Sequence, residues 1–117
     1  MSETPPATTT VVKTIRFDLA SAADPSMPTT TREWYADPTG CFKSGFWASA
    51  PGRAEIRYDK DELCVILEGV VRLTDGAGDS ETYRAGDTFV IPRGFAGIWE
   101  TIEPTRKFYA IHRNCGN

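Results

Sequence analysis

From residue 40 onward the sequence is cut by turn residues into runs too short to make helices. The breaks read APGR at 50–53, DGAGD at 75–79, RAGD at 84–87, IPRGF at 91–95 and EPT at 103–105, and Gly, Pro and Asp are the residues that tight turns require. Between them stand apolar or alternating segments, which predict strands at 42–49, 53–58, 62–67, 70–74, 80–84, 87–91, 97–102 and 106–112. Strands packed so densely, within about 70 residues, leave no length for crossover helices and must be joined by hairpins and Greek-key connections. An all-β jelly-roll barrel is the economical way for such a chain to remove its sheet edges.

The strand predicted at 62–67 is apolar on both faces, with Cys64 and Ile66 on one side and Leu63, Val65 and Leu67 on the other. An antiparallel strand normally keeps one face wet. The second face therefore calls for cover, either from an N-terminal strand or from a second copy in a homodimer, the commonest symmetric assembly. Upstream, residues 1–10 are Thr- and Pro-rich and are expected to be disordered. VVKTIRFDL (11–19) has the β-branched content of a first strand, at an edge or swapped. ASAADPSMPTTT (20–31) reads as a surface loop. The organisation expected is thus a disordered start (1–10), an N-terminal strand and loop (11–39) and a barrel (40–117).

Charge excludes one class of partner. Thirteen Lys and Arg against 16 Asp and Glu give a net charge of −3, with no basic footprint for nucleic acid. The longest apolar run, CVILEGVV, is far short of the ~20 residues that cross a bilayer as a helix, so no membrane is expected. MSETPPATTT shows neither the basic nor the apolar region of a secretory leader, and the expected location is cytoplasmic. Cys41, Cys64 and Cys115 are odd in number and form no CxxC pair, which reads as three free thiols in a reducing compartment.

The chemistry concentrates where a carboxylate, Glu62, opens the most apolar strand. Strand alternation sends Cys64 the same way as Glu62. A buried carboxylate needs a partner whether or not it reacts, so Glu62 is either a capped structural group or a general base or ligand acceptor. In TRKFYAIH, alternation groups Arg106, Phe108, Ala110 and His112 against Lys107, Tyr109 and Ile111, and hydrophobicity alone leaves open which group faces inward. Trp47 and Trp99 are core aromatics or pocket walls, Phe95 could lie over a pocket mouth, and Tyr58 brings a hydroxyl near Glu62. Cys64 lacks a neighbouring histidine to activate it, and His112 reads as a strand-end residue. There is no Ser-His-Asp set, phosphate loop or nucleotide fingerprint.

Glu62 and Gly69, followed by Gly86, Asp87, Pro92 and Gly94 in a G-D-x4-P-x-G stretch, resemble the paired motifs of the cupin superfamily. GFWASAPGR, YDKDELCVILEGVVRLTD, AGDTFVIPRGFAGIWE and TRKFYAIH are similar, in order and spacing, to small cupins grouped with the cupin domains of ureidoglycine aminohydrolase. The resemblance covers about residues 40–112. It implies a conical β-barrel with a pocket at its wide end, with Lys107 and Tyr109 lining it. Metal-dependent cupins place histidines where this chain has Glu55 and Arg57, or Ile56 and Tyr58, and a third where it has Gly97; His112 is the single histidine. A three-His centre cannot form within one subunit, so no cofactor is expected, and a divalent ion would have to rely on Glu62 with Cys64, Tyr58 or water. The reading is a small-molecule-binding cupin with Glu62, Lys107, Trp47, Tyr58, Cys64, Phe95, Trp99 and Tyr109 as candidate site residues. The alternatives are an aminohydrolase- or isomerase-like enzyme using Glu62 and Lys107 as acid and base, or a structural or regulatory dimer.

Overall fold

The computed structural model describes residues 14–19, 24–26 and 29–115; the expected disorder of residues 1–10 lies outside them. Seven strands follow in order: β1 (Thr30–Ala36), β2 (Phe42–Ser49), β3 (Gly52–Arg57), β4 (Asp61–Asp75), β5 (Ser80–Arg84), β6 (Thr88–Ile91) and β7 (Ala96–His112). Every pairing is antiparallel, and the described residues contain no α-helix.

Two expected strand pairs, 62–67 with 70–74 and 97–102 with 106–112, are each one continuous strand, β4 and β7. The residues between them bend the ladder and do not end it. Register shifts fall between Ile66 and Val71 of β4, opposite Glu103–Arg106 of β7. Gly69 takes φ 102°, where a side chain would be strained, and a Cβ there would run into the Pro104 carbonyl and Thr105. Bulges at facing positions turn a corner without breaking the pairing.

That corner makes the two layers. The first half of β4 and the second half of β7 pair with β6 and β2, and β1 extends β2; the other halves pair with β5 and β3. Inward side chains from both layers meet in a core of Cys64, Ile66, Val71, Leu73, Ile91 and Trp99. Each fully buried aliphatic side chain there contributes about 1.5–3 kcal/mol.

Two turns brace β4. In the Gly86-Asp87 turn, Gly86 N–H donates to the Ile66 carbonyl at 2.8 Å and Ile66 N–H donates to the Asp87 carbonyl at 2.9 Å. In the Pro92–Phe95 turn, Gly94 N–H donates to the Tyr58 carbonyl and Tyr58 N–H to the Phe95 carbonyl, both at 2.8 Å. The turn also binds Asp61, whose carboxylate accepts from Arg93 N–H at 2.8 Å. The motif glycines thus hold the backbone on either side of Glu62.

The N-terminal expectations need correction. Residues 14–18 form no strand, and residues 11–13 lie outside the description. The strand that pairs with β2 at the sheet edge is β1, which begins inside the stretch expected to be loop. The 14–19 segment is instead anchored by a side chain. Phe17 stacks on Trp34 at 5.6 Å and meets the edges of Phe46 and Phe108 at 5.6 and 4.9 Å, while Trp34 Nε1 donates to the Arg16 carbonyl. This strap covers part of the outer sheet face, whereas Leu63 and Val90, cross-strand neighbours on that face, stay exposed.

The expected free thiols need correction too. Cys41 and Cys115 form a disulfide with Cα atoms 5.8 Å apart, and Cys64 alone is free. Phe42 and His112 are partners in the β2–β7 ladder, so the residues just outside those strand ends come together. No helix among the described residues is long and apolar enough to cross a membrane.

Candidate functional site

Alternation along β4 points Glu62 and Cys64 between the layers, and the ladder sets them beside Ile111 and Tyr109 of β7. Lys107, two residues along the same face of β7, pairs with Trp47 of β2 and reaches back over Cys64. Its Nζ lies 2.8 Å from Glu62 Oε2 and 3.4 Å from Cys64 Sγ. Tyr58, held by the Pro92–Phe95 turn, donates from its hydroxyl to Glu62 Oε1 at 2.6 Å, and the Cys64 thiol donates to Oε2 at 3.5 Å. Glu62 and Lys107 are 4% exposed each, so this is a buried ion pair whose attraction must offset a desolvation cost of several kcal/mol per ion.

The aromatic walls supply part of that compensation. Lys107 Nζ stands 4.3 Å from the Trp99 ring centre and 5.0 Å from that of Trp47, close enough for cation–π attraction. The two indoles meet edge to face at 5.3 Å, and Trp99 Nε1 donates to Thr101 at 2.9 Å. Burial pushes the Glu62 carboxyl up, but the Lys107 ammonium and the donors Tyr58 and Cys64 outweigh it and hold the group below the usual glutamate range. Burial pushes the Cys64 thiol up to about 12, against the pull of Lys107. Burial, then the Glu62 charge, keeps the Tyr58 phenol protonated. At neutral pH Glu62 is therefore a carboxylate, Tyr58 a phenol and Cys64 a thiol.

These groups form the head of an open pocket of about 300 Å³, lined also by Thr29, Thr31, Ile56, Lys60, Tyr109 and Ile111. Of the candidates from sequence, Glu62, Lys107, Trp47, Tyr58, Trp99 and Tyr109 come together there. Cys64 is fully buried behind Glu62 and touches the pocket only through its hydrogen bonds. Phe95 packs on the core and lines a different hollow, with Tyr83 and Phe89. His112 is exposed at the end of β7. Sequence reasoning missed Lys60, Ile56, Thr29 and Thr31. Thr31 is the ladder partner of Trp47, a signal available only once β1 is recognised.

The residues do not fit the imidazole-held metal of many cupins. Ile56 and Tyr58 face the pocket where histidines would stand, and Gly97 is the ladder partner of Ile56. Both Glu62 oxygens already accept hydrogen bonds, and the Lys107 ammonium stands on the carboxylate where a metal cation would bind. No three His, Cys, Asp or Glu side chains converge among the described residues.

Residues 36–109 match the EutQ-like cupin domain family. No curated protein matches the chain. A putative ethanolamine utilization protein Q from Salmonella typhimurium superposes with a TM-score of 0.65 at 21% identity, over 72% of this chain and 68% of that one. A DUF861 family protein from Thermotoga maritima is 34% identical over 55% of this chain and 73% of its own, with a TM-score of 0.53. A protein of unknown function from Rhizobium leguminosarum gives a TM-score of 0.73 at 14% identity, over 88% of this chain and 100% of that one. The motif turns, the two-layer barrel and the family match agree, and the chain belongs to the EutQ-like cupin domain family.

Proposed function

We propose that this cupin is a small-molecule-binding module whose pocket is organised by an ammonium–carboxylate pair in place of a metal. The observation that carries the reading is Lys107 Nζ at 2.8 Å from Glu62, against Trp47 and Trp99, at the head of a pocket of about 300 Å³. Ligand pockets run from roughly 300 to 1,000 Å³ and are mostly apolar with a few fixed polar groups; this one is at the small end. The test pairs elemental analysis of protein purified without chelator with titration of small fragments, followed by tryptophan fluorescence. The reading expects substoichiometric metal and saturable quenching that Ile56→Trp, which fills the pocket, abolishes. Stoichiometric metal, or no fragment binding, counts against it.

A second reading is an aminohydrolase- or isomerase-like enzyme of the kind suggested by the likeness to ureidoglycine aminohydrolase domains. It is favoured by the juxtaposition of an ionised carboxylate and an ammonium, with Glu62 as base and Lys107 as acid. It expects turnover that Glu62→Gln abolishes while ligand binding persists. We also infer a homodimer through the outer face around Leu63 and Val90, which are 37% and 56% exposed. Light scattering of wild type and Val90→Lys checks it, a monomeric wild type being the contrary result. A purely structural or regulatory dimer is the outcome if no ligand is found and the dimer persists.

A further inference from the structure

The geometry points to a ligand class for this pocket, an inference that rests on the binding reading above: a small organic monocarboxylate with a flat or branched apolar body. The argument is one of supply and demand. Glu62, the pocket's one carboxylate, is committed to three donors, with Oε1 accepting from Tyr58 and Oε2 from Lys107 and Cys64. It has little left to offer an incoming cation or donor. An ammonium has three N–H groups and no acceptor; Lys107 directs two of them to Glu62 and Cys64, which leaves one for a ligand oxygen. Further polar groups of the lining include the hydroxyls of Thr29, Thr31 and Tyr109 and a second cation, Lys60, whose Nζ sits 4.1 Å above the Tyr58 ring.

The charges of the lining are Lys60 and Lys107 against Glu62, a net excess of one positive charge, so a single negative charge on the ligand balances it. An amine ligand is disfavoured twice. It would meet like charge, and the two indole faces that could receive it already hold the Lys107 ammonium. The rest of the wall, Trp47, Trp99, Ile56 and Ile111, is apolar and suits a ring or branched chain. A strongly hydrophilic polyanion matches neither the walls nor the charge.

Calorimetric titration of the full chain with benzoate, benzamide and benzylamine, which share a ring and differ in head-group charge, tests this. Benzoate should bind at least tenfold more tightly than benzamide, and benzylamine should give no heat of binding. Benzoate affinity should fall as salt rises, and Lys60→Met should weaken benzoate about five- to tenfold and benzamide by clearly less. Lys60 is at the rim, so this variant folds even if Lys107→Met does not. Equal or tighter binding of benzamide or benzylamine overturns the inference while the pocket reading stands. Absence of benzoate binding overturns it as well, and a neutral fluorescent probe, 1-naphthol, then shows whether the pocket reading falls with it: quenching that Ile56→Trp abolishes keeps that reading, and no quenching removes it.

Discussion

Replacing Lys107 by Met removes the ammonium and keeps the stem, and so isolates the charge at the centre of the site. Glu62 would remain 4% exposed with its phenol and thiol donors but no counter-ion. Removing one partner of a buried pair costs about 3–5 kcal/mol, since the other charge is left uncompensated. For a domain of this size the expected fall in Tm is about 4 °C per kcal/mol, or roughly 12–20 °C. Adding Glu62→Gln removes the orphaned charge, so the double variant should recover to within about 1 kcal/mol of wild type.

The sign of the pH dependence separates this account from a mere packing loss. In the wild type Glu62 lies below its usual range; its contribution is present above the unfolded value of about 4.3 and is lost as pH falls through the folded one. Without Lys107, burial prevails and the folded pKa rises. The contribution of Glu62 is then fullest below the unfolded value and is lost as pH climbs through the raised one. The stability gap between wild type and Lys107→Met should therefore narrow as pH drops from 7 to 4. Urea melts at several pH values read it out. A gap that is constant with pH, a single-variant cost under about 1 kcal/mol, or a double variant no better than the single one refutes the reasoning.

Three further outcomes follow from the fold. Gly69→Ala places a side chain at φ 102° against Pro104 and Thr105; it should cost at least about 1–3 kcal/mol in a urea melt, and a neutral effect would deny the corner its tight approach. Reductant, or Cys115→Ser, opens a closure spanning 74 residues and should lower stability by up to about 4 kcal/mol, an unchanged midpoint being the contrary result. Phe17→Ala removes three ring contacts from the outer face, each worth about 0.5–1.5 kcal/mol. It should lower Tm and increase binding of a hydrophobic dye, and no change in either would show that the strap does not cover the face.

What could be read in advance was whatever local chemistry dictates. Gly86-Asp87 and the Pro92–Phe95 turn announce themselves by residue type, and period-2 alternation set Glu62 on the side of Cys64. What escaped depends on distant partners. Glu68-Gly69 and Glu103-Pro104 look like breaks one at a time, and only their meeting across the ladder makes them a bend within continuous strands. The Cys41–Cys115 bridge follows from the Phe42–His112 pairing, which spacing along the chain does not reveal. The inward face of β7 was balanced on hydrophobicity because Lys107 is a charged residue in a core position; its reason, Glu62, stands 45 residues away. Lys60 has nothing in the sequence to set it apart from its charged neighbours Asp59 and Asp61; only its position over the Tyr58 ring places it at the pocket.

The central claim is that Lys107 holds the cation's place on Glu62 at the head of a ligand pocket. A crystal structure of protein purified without chelator, with anomalous data, tests this most directly. The account predicts Lys107 Nζ within about 3 Å of Glu62, no anomalous peak at the carboxylate, and solvent or a small organic molecule in the pocket beside Trp47 and Trp99. A metal ion on Glu62 with Lys107 turned away, or a cavity filled by the chain's own side chains, would contradict it.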